Sequence, residues 1–242
     1  MKALPPLEEM RAMILAAGLG TRLRPLTDVT PKPLVKVAGR ALIDYCFDLL
    51  RAAHIRQVVV NRHHLGDQIS AYLDQMTGFD IAVSDETAAL LETGGGVRKA
   101  LPLLGPDPFF VMNSDVIVRD PAASALRRLH SRWNADEMDA LLLLHPVATA
   151  IGYAGEGDFH LGEGGLLRRR GKGERAACLF TGVQLLNPAL FEGTRPEAFS
   201  LNVIYDKALA GGRLYGLVHD GDWLHVGTSD AVTEASRRIG GG

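Results

Sequence analysis

The sequence predicts an α/β fold: a mostly parallel sheet with helices on both faces and a smaller antiparallel lobe. Three observations predict it. Short apolar runs at residues 12–17, 57–60, 80–84 and 108–112 read as strands, the first and last buried on both faces. Stretches with apolar residues at helical spacing lie between them, and such alternation makes a covered parallel sheet. From about Asp139 the alternation gives way to short strand-like pieces among glycine and charge. The 242 residues are enough for one domain, with halves at residues 12–138 and 139–242.

Each element has its own signal. Residues 1–11 carry Pro5, Pro6, Glu8 and Glu9, lack the basic start and apolar middle of a signal peptide, and read as a loose extension. The first strand stops at Gly18 and Gly20, which let the chain turn and let backbone N–H groups approach a ligand. Leu42, Ile43, Cys46, Phe47, Leu49 and Leu50 have helical spacing over residues 41–53. Residues 57–60 form a β-branched strand, and a helix over 65–76 ends at Gly78. After the strand at 80–84, the run Gly94-Gly95-Gly96 leads into a helix over 97–103, then the strand at 108–112. In the second half, residues 140–144, 179–186, 214–219 and 223–226 read as strands. Shorter strand pieces surround Phe159 and Leu166-Leu167. Residues 202–210 and 229–239 read as helices, and Gly240-Gly241-Gly242 as a disordered tail.

Composition excludes several classes. A net charge of −2 gives no electrostatic footprint for nucleic acid. No apolar run is long enough to span a membrane. Cys46 and Cys178 lie far apart, suggest no disulfide framework, and read as buried free thiols of a cytoplasmic protein.

The chemistry concentrates in MILAAGLGTRLRPLTDVTPKPL, residues 13–34. Arg22 and Arg24 follow the glycine turn, and Lys32 sits between Pro31 and Pro33, each of which fixes its own φ. Guanidinium groups and an ammonium on a stiff loop suit a polyanion, most simply a nucleoside triphosphate. The pattern is neither the phosphate loop that ends in Gly-Lys-Ser/Thr nor the three-glycine dinucleotide fingerprint. Parallel sheets bind ligands at the carboxyl ends of their strands, where residues 18–22, Asn61 and residues 113–115 fall. Asp115 there suits Mg²⁺, which takes one or two carboxylates plus phosphate oxygens. Asn113-Ser114-Asp115 also suits a turn or helix cap. Three glycines at 94–96 are costly to order unless something approaches closely, and the alternative is a flexible helix start.

The string L-A-A-G-x-G-T-R-L-x-P-L-T followed by P-K-P-L resembles the signature of the sugar-1-phosphate nucleotidyltransferases, the NDP-sugar pyrophosphorylases. The resemblance covers nearly the whole chain. It implies a Rossmann-like mixed sheet with a small sugar-binding lobe, and transfer of a nucleotidyl group from a nucleoside triphosphate to a sugar 1-phosphate. It implies catalytic roles for Arg22, Lys32 and Asp115, with Mg²⁺ on Asp115. Nucleotide binding would fall to Leu15, Ala16, Ala17, Gly18, Gly20, Thr21, Arg22, Lys32, Glu92, Thr93, Gly94, Gly95 and Asn113. Glu86 is a further neighbour of the base. Gly152, Thr181 and Gly182 would hold the sugar phosphate, and Arg168, Arg169 and Arg170 could meet its phosphate. Consecutive strand residues face opposite ways, so not all three can do so.

E-T-G-G-G at residues 92–96 and K-A-L-P-L-L-G at 99–105 resemble the N-acetylmuramate 1-phosphate uridylyltransferases of peptidoglycan recycling. The runner-up is guanylyl transfer to mannose 1-phosphate, and a reading of another class is a nucleotide-sugar-binding module without catalysis. The chain departs from the family at His225. The family's W-x-D-V-G-T, whose Asp is the second metal ligand, here reads Trp223-Leu224-His225-Val226-Gly227-Thr228. Imidazole is a softer ligand than oxygen and suits Mg²⁺ less well. Asp222 lies three residues earlier and faces the other way on a regular strand. Either His225 contacts phosphate or a metal-bound water, or the metal rests on Asp115 and phosphates alone.

Overall fold

A computed structural model describes residues 4–121 and 124–241. The first half runs β1 (Arg11–Leu15), β2 (Lys36–Val37), β3 (Arg40–Ala41), α1 (Leu42–Ala52), β4 (Gln57–Arg62), α2 (Gly66–Leu73), β5 (Asp80–Asp85), α3 (Glu92–Leu104), β6 (Phe109–Asn113), β7 (Val116–Arg119) and α4 (Ala125–Arg132). The second runs β8 (Ala140–Pro146), β9 (Phe159–Leu161), β10 (Leu167–Arg169), β11 (Cys178–Leu186), α5 (Asn202–Ala210), β12 (Leu214–Val218), β13 (Asp222–His225) and α6 (Ser229–Gly240).

Nine strands form one sheet, with the path β10-β9-β11-β6-β1-β4-β5, β8 joined to β11, and β12 joined to β8. β6, β1, β4 and β5 are mutually parallel, whereas β11 runs antiparallel to β6, β8 and β9. The expected antiparallel part is thus present and grows out of the main sheet. Two-stranded antiparallel ribbons, β7–β13 and β2–β3, complete the architecture. Both faces of the sheet are covered, and alternation along β1 shows it. Ala12 and Ile14 pack with Phe47, Leu50 and Leu126 on one side, while Met13 packs with Val97 and Ile204 on the other. No helix among the described residues is long and apolar enough to cross a membrane.

The structure adds or corrects four points. Nothing in the sequence reading marked β7 or α4. α4 is one short amphipathic helix that buries Ala125, Leu126 and Leu129 beneath a run of basic side chains. From Leu4 on, the N-terminal extension is not loose: Leu7 and Met10 are buried, and the Pro5 carbonyl meets His130 Nε2 at 2.8 Å, while residues 1–3 lie outside the described residues. At the other terminus, Gly240 is the last residue of α6, and Gly242 lies outside the described residues.

The glycine triplet, finally, is not a loop before a helix but the start of α3 itself. Residues 197–199 cross the helix there. A Cβ on Gly94 would lie 2.4 Å from the Phe199 ring, one on Gly95 2.5 Å from the Glu197 carbonyl, and one on Gly96 2.7 Å from Glu86 Oε1. The N–H groups of Gly94 and Gly95 donate to the Phe199 carbonyl at 2.8 and 3.1 Å. Gly94→Ala gains roughly 1 kcal/mol of helix propensity, yet overpacking costs about 1–3 kcal/mol and the nearby carbonyl leaves little room to relax. We expect net destabilisation in denaturant unfolding. A variant as stable as wild type would show that the crossing segment yields.

Candidate active site

The site is built at the carboxyl ends of β1, β4 and β6. Gly20 takes a φ of 64° to turn the chain into a tight helical turn at Thr21–Leu23. A Cβ there would lie 2.8 Å from Thr27 Cγ2 and 3.1 Å from Lys32 Cβ. Thr27 Oγ1 donates to the Gly20 carbonyl at 2.8 Å, so residues 20–32 fold back on themselves. This closure brings Lys32, held in a short turn after Pro31, to the end of β6. Its Nζ lies 2.7 Å from Asp115 Oδ2, with side-chain exposures of 11% and 28%. Asp115 sits just past β6 because Ser114 ties back to β1, its N–H and hydroxyl both donating to the Leu15 carbonyl.

A buried polar chain sets the opposite wall. Asn61 Oδ1 accepts the Ala16 N–H at 2.6 Å, and its Nδ2 donates to Glu86 Oε1 at 2.7 Å. Glu86 Oε2 accepts the Leu91 N–H at 3.1 Å. Asn61 and Glu86 are 2% and 1% exposed, so an unmet group in either would be expensive. The chain therefore fixes the Leu90–Thr93 wall relative to the end of β1.

These walls enclose a cavity of about 300 Å³. Of the residues put forward from the sequence, Leu15, Ala17, Gly18, Gly20, Thr21, Arg22, Lys32, Glu92, Thr93, Asn113 and Asp115 line it. Ala16 is buried with its N–H spent on Asn61, Gly94 and Gly95 face residues 197–199, and Glu86 lies behind the wall with both oxygens engaged. Pro33, Asn61, Leu90 and Ser114 also line the cavity. Asn61 and Ser114 carry a signal in the sequence by their place at strand ends, and Pro33 by its place beside Lys32.

The residues assigned to the sugar phosphate stand beside this cavity. Gly182 has a φ of 88°, and a Cβ there would lie 3.0 Å from that of Asn113. Thr181 is fully buried, its hydroxyl given to the Leu143 carbonyl. Gly152 has a φ of 73° and abuts the His225 backbone, 2.6 Å from its carbonyl to a would-be Cβ. His225 pairs with Val116 across β7–β13, and the next amide, Val226 N–H, donates to the Asp115 carbonyl at 3.0 Å. The imidazole is therefore a near neighbour of Asp115, and burial holds its pKa below the usual histidine value. Asp222, on the far end of β13, faces solvent. The three arginines are held by their own chain: Arg168 by Glu174 at 3.0 Å, Arg169 by Asp206 at 2.8 Å, and Arg170 by the carbonyls of Gly157 and Glu174.

No group of three or more His, Cys, Asp or Glu side chains gathers into a metal site among the described residues. Asp115 lines the cavity with one oxygen on Lys32 and the other free of protein partners among the described residues. One carboxylate lining an open cavity fits an ion that takes its remaining ligands from substrate and water, which is the habit of Mg²⁺.

A profile of the family described as Nucleotidyl transferase matches residues 11–155, which includes every cavity residue above. The chain belongs to the nucleotidyl transferase family. This transferase is 40% identical to the N-acetylmuramate alpha-1-phosphate uridylyltransferase of Caulobacter vibrioides, over 94% of its own length and 96% of the relative's. It is 37% identical to the protein of the same description from Neisseria meningitidis serogroup B, over 96% and 99% of the two chains. Among solved structures, a UDP-glucose pyrophosphorylase from Acinetobacter baumanii superposes with a TM-score of 0.75 at 20% identity, covering 96% of this chain and 93% of that one. That likeness concerns the fold. Family and relatives together make the enzyme a sugar-1-phosphate nucleotidyltransferase.

Proposed function

We propose that the enzyme transfers uridylyl from UTP to N-acetylmuramate 1-phosphate, releasing pyrophosphate, in cytoplasmic recycling of cell-wall sugars. The observation that carries the transfer chemistry is the Lys32–Asp115 pair in the cavity wall, beside the Gly18–Arg22 turn. The near-full-length similarity to two relatives of that description supports the choice of base and sugar.

A phosphate oxygen of the sugar 1-phosphate attacks the α-phosphorus of the triphosphate in line, the bond to the β-phosphate oxygen breaks, and pyrophosphate leaves. No covalent enzyme intermediate is needed. The work lies in aligning two anions and neutralising charge in the transition state. Amides around Gly18 and Gly20 hold phosphate oxygens, Arg22 neutralises the departing pyrophosphate, and Lys32 turns from Asp115 to the α-phosphate. Asp115, released, would hold Mg²⁺ with substrate oxygens, and that ion would supply positive charge between the two phosphates. Asn113 and Gly182, packed on one another, border the path to the sugar side.

Release of pyrophosphate from each of the four triphosphates against a panel of sugar 1-phosphates tests the reading. Turnover confined to UTP with N-acetylmuramate 1-phosphate supports it. A preference for GTP with mannose 1-phosphate would replace it with guanylyl transfer, and no turnover with any pair would leave a binding module.

His225 gives a sharper test of the metal. His225→Asp places a carboxylate beside Asp115, and carboxylate suits Mg²⁺ better than imidazole does. Apparent Mg²⁺ affinity, from rate against metal concentration, should rise about tenfold, the scale on which supporting groups tune metal sites. An unchanged titration would put position 225 outside the metal's reach.

A further inference from the structure

One residue of the cavity wall is held in an uncommon shape. Glu92 has a φ of 57°, in the left-handed region that few residues with a side chain enter. Such a conformation persists only where its neighbours impose it, and it collects at sites that grip ligands. Two sets of bonds impose it here. In one, the Leu91 carbonyl and the Thr93 hydroxyl oxygen accept the N–H groups of Phe199 and Leu201. In the other, the Leu91 N–H donates to Glu86 Oε2 at 3.1 Å.

The second set reaches across the site. Glu86 Oε1 accepts from Asn61 Nδ2 at 2.7 Å, and Asn61 Oδ1 accepts the Ala16 N–H at 2.6 Å. Ala16 precedes Ala17 and Gly18, and Leu91 stands between Leu90 and Glu92, all four of which line the cavity. The relay therefore begins and ends one residue from the lining. The Glu86 backbone is itself tied to the end of β4, its N–H donating to the Arg62 carbonyl at 2.8 Å and its carbonyl accepting from His63 Nδ1 at 2.7 Å. Gly96 leaves the relay room, since a Cβ there would lie 2.7 Å from Glu86 Oε1 and 3.0 Å from Asn61 Nδ2.

Glu86 spends a carboxylate on two neutral donors in a place that is 1% exposed, and a carboxylate buried in this way is costly. Stability alone gives little reason for it. Holding two loops at one separation does. Both cations of the lining, Arg22 and Lys32, stand on the loop that follows β1. On the proposed function the triphosphate lies there, and the uncharged base lies against Leu90–Thr93. We propose, resting on that reading, that Asn61 and Glu86 are positioning residues for the nucleotide. They set the span between its phosphate contacts and its base wall, with every polar atom of the two side chains engaged in the relay.

Reversing the relay tests this. Glu86→Gln keeps one acceptor and turns an NH₂ group on a donor. Asn61→Asp turns carboxylate oxygens on each other. Together the two restore the relay with its middle bond reversed. The new amide donates to the new carboxylate, whose other oxygen keeps the Ala16 N–H, and the oxygen of that amide accepts the Leu91 N–H. By calorimetry in Mg²⁺, each single variant should bind the triphosphate that wild type binds best, UTP on the proposed function, about tenfold more weakly, the scale of one hydrogen bond to a charged group. The double variant should recover most of that loss. Inorganic tripolyphosphate has no base to place and should bind wild type and variants alike, because neither substitution removes the acceptor for Ala16. In steady state the loss should fall on KM for the nucleotide, and little on kcat or on KM for the sugar phosphate. If one single variant fails to fold, the other and the double variant complete the comparison. Wild-type nucleotide affinity in a single variant, equal weakening of tripolyphosphate, or a double variant no better than the weaker single would overturn the assignment. A wild type that binds none of the four nucleoside triphosphates would remove the transferase reading, and this assignment with it.

Discussion

Asp115→Asn should abolish nucleotidyl transfer, with a loss of about 10³ or more in rate at saturating substrates and metal, by analogy with groups that stabilise transition-state charge. The amide keeps the shape of the carboxylate, and its oxygen can still accept from Lys32. What it removes is the negative charge that a hard cation requires. The same change strips Lys32 of its counter-charge, and Lys32 is nearly buried. Breaking such a pair costs stability, about 1–3 kcal/mol for a partly exposed partner. A protein stable by 5–15 kcal/mol stays folded after that loss. The two effects therefore separate: unfolding should show a moderate shift and the assay a collapse. Wild-type turnover with an unchanged Mg²⁺ requirement would move the metal away from Asp115.

Lys32→Ala should cost about 10²–10³ in turnover, the range for one positioned donor to a charged transition state. Its ammonium is fixed before substrate arrives, because the Pro31 turn and the packing of Gly20 hold the base of the side chain. The loss should fall mainly on kcat, since a group that tightens on the transition state contributes less to binding the ground state. Lys32→Arg should not rescue it. Guanidinium is a broad planar fork, and there is little space around Lys32 Cβ, which a would-be Gly20 Cβ approaches to 3.1 Å. Turnover within a few-fold of wild type in the Ala variant would take Lys32 out of the reaction and leave it as a structural partner of Asp115.

Much of this site is written in short stretches of sequence, and those stretches were readable. Gly18 to Arg22 and Asn113 to Asp115 each follow an apolar strand, and the rule that parallel sheets open at their carboxyl ends brings them together. Lys32 reaches the same place because its loop is short and stiffened by proline. The glycine triplet signals close approach, and the approaching groups are the chain itself: residues 197–199, about a hundred residues away, at Gly94 and Gly95, and Glu86 at Gly96. Nothing local announces such a partner. The same holds for Asn61 and Glu86, whose buried chain spans β1, β4 and the wall before α3. Arg168, Arg169 and Arg170 look like a phosphate cluster until their partners, Glu174, Asp206 and two carbonyls, are known. α4 was missed because eight residues with four basic side chains leave only three buried apolar positions to betray a helix.

The crossing of residues 197–201 over α3 also sets a timetable. Phe199 caps the first amides of that helix, its own N–H goes to the Leu91 carbonyl, and the Leu201 N–H reaches Thr93 Oγ1. A growing chain emerging from the ribosome reaches the phosphate loop, Asp115 and every residue of the nucleotide wall long before the segment that clamps this wall is made. Helix starts without caps fray. Residues 12–138 made alone would therefore carry the cavity residues on an unsecured frame. On the proposed function, the wall against which the nucleotide would lie is secured only once residues 199–201 have been made and bond to Leu91, Thr93, Gly94 and Gly95.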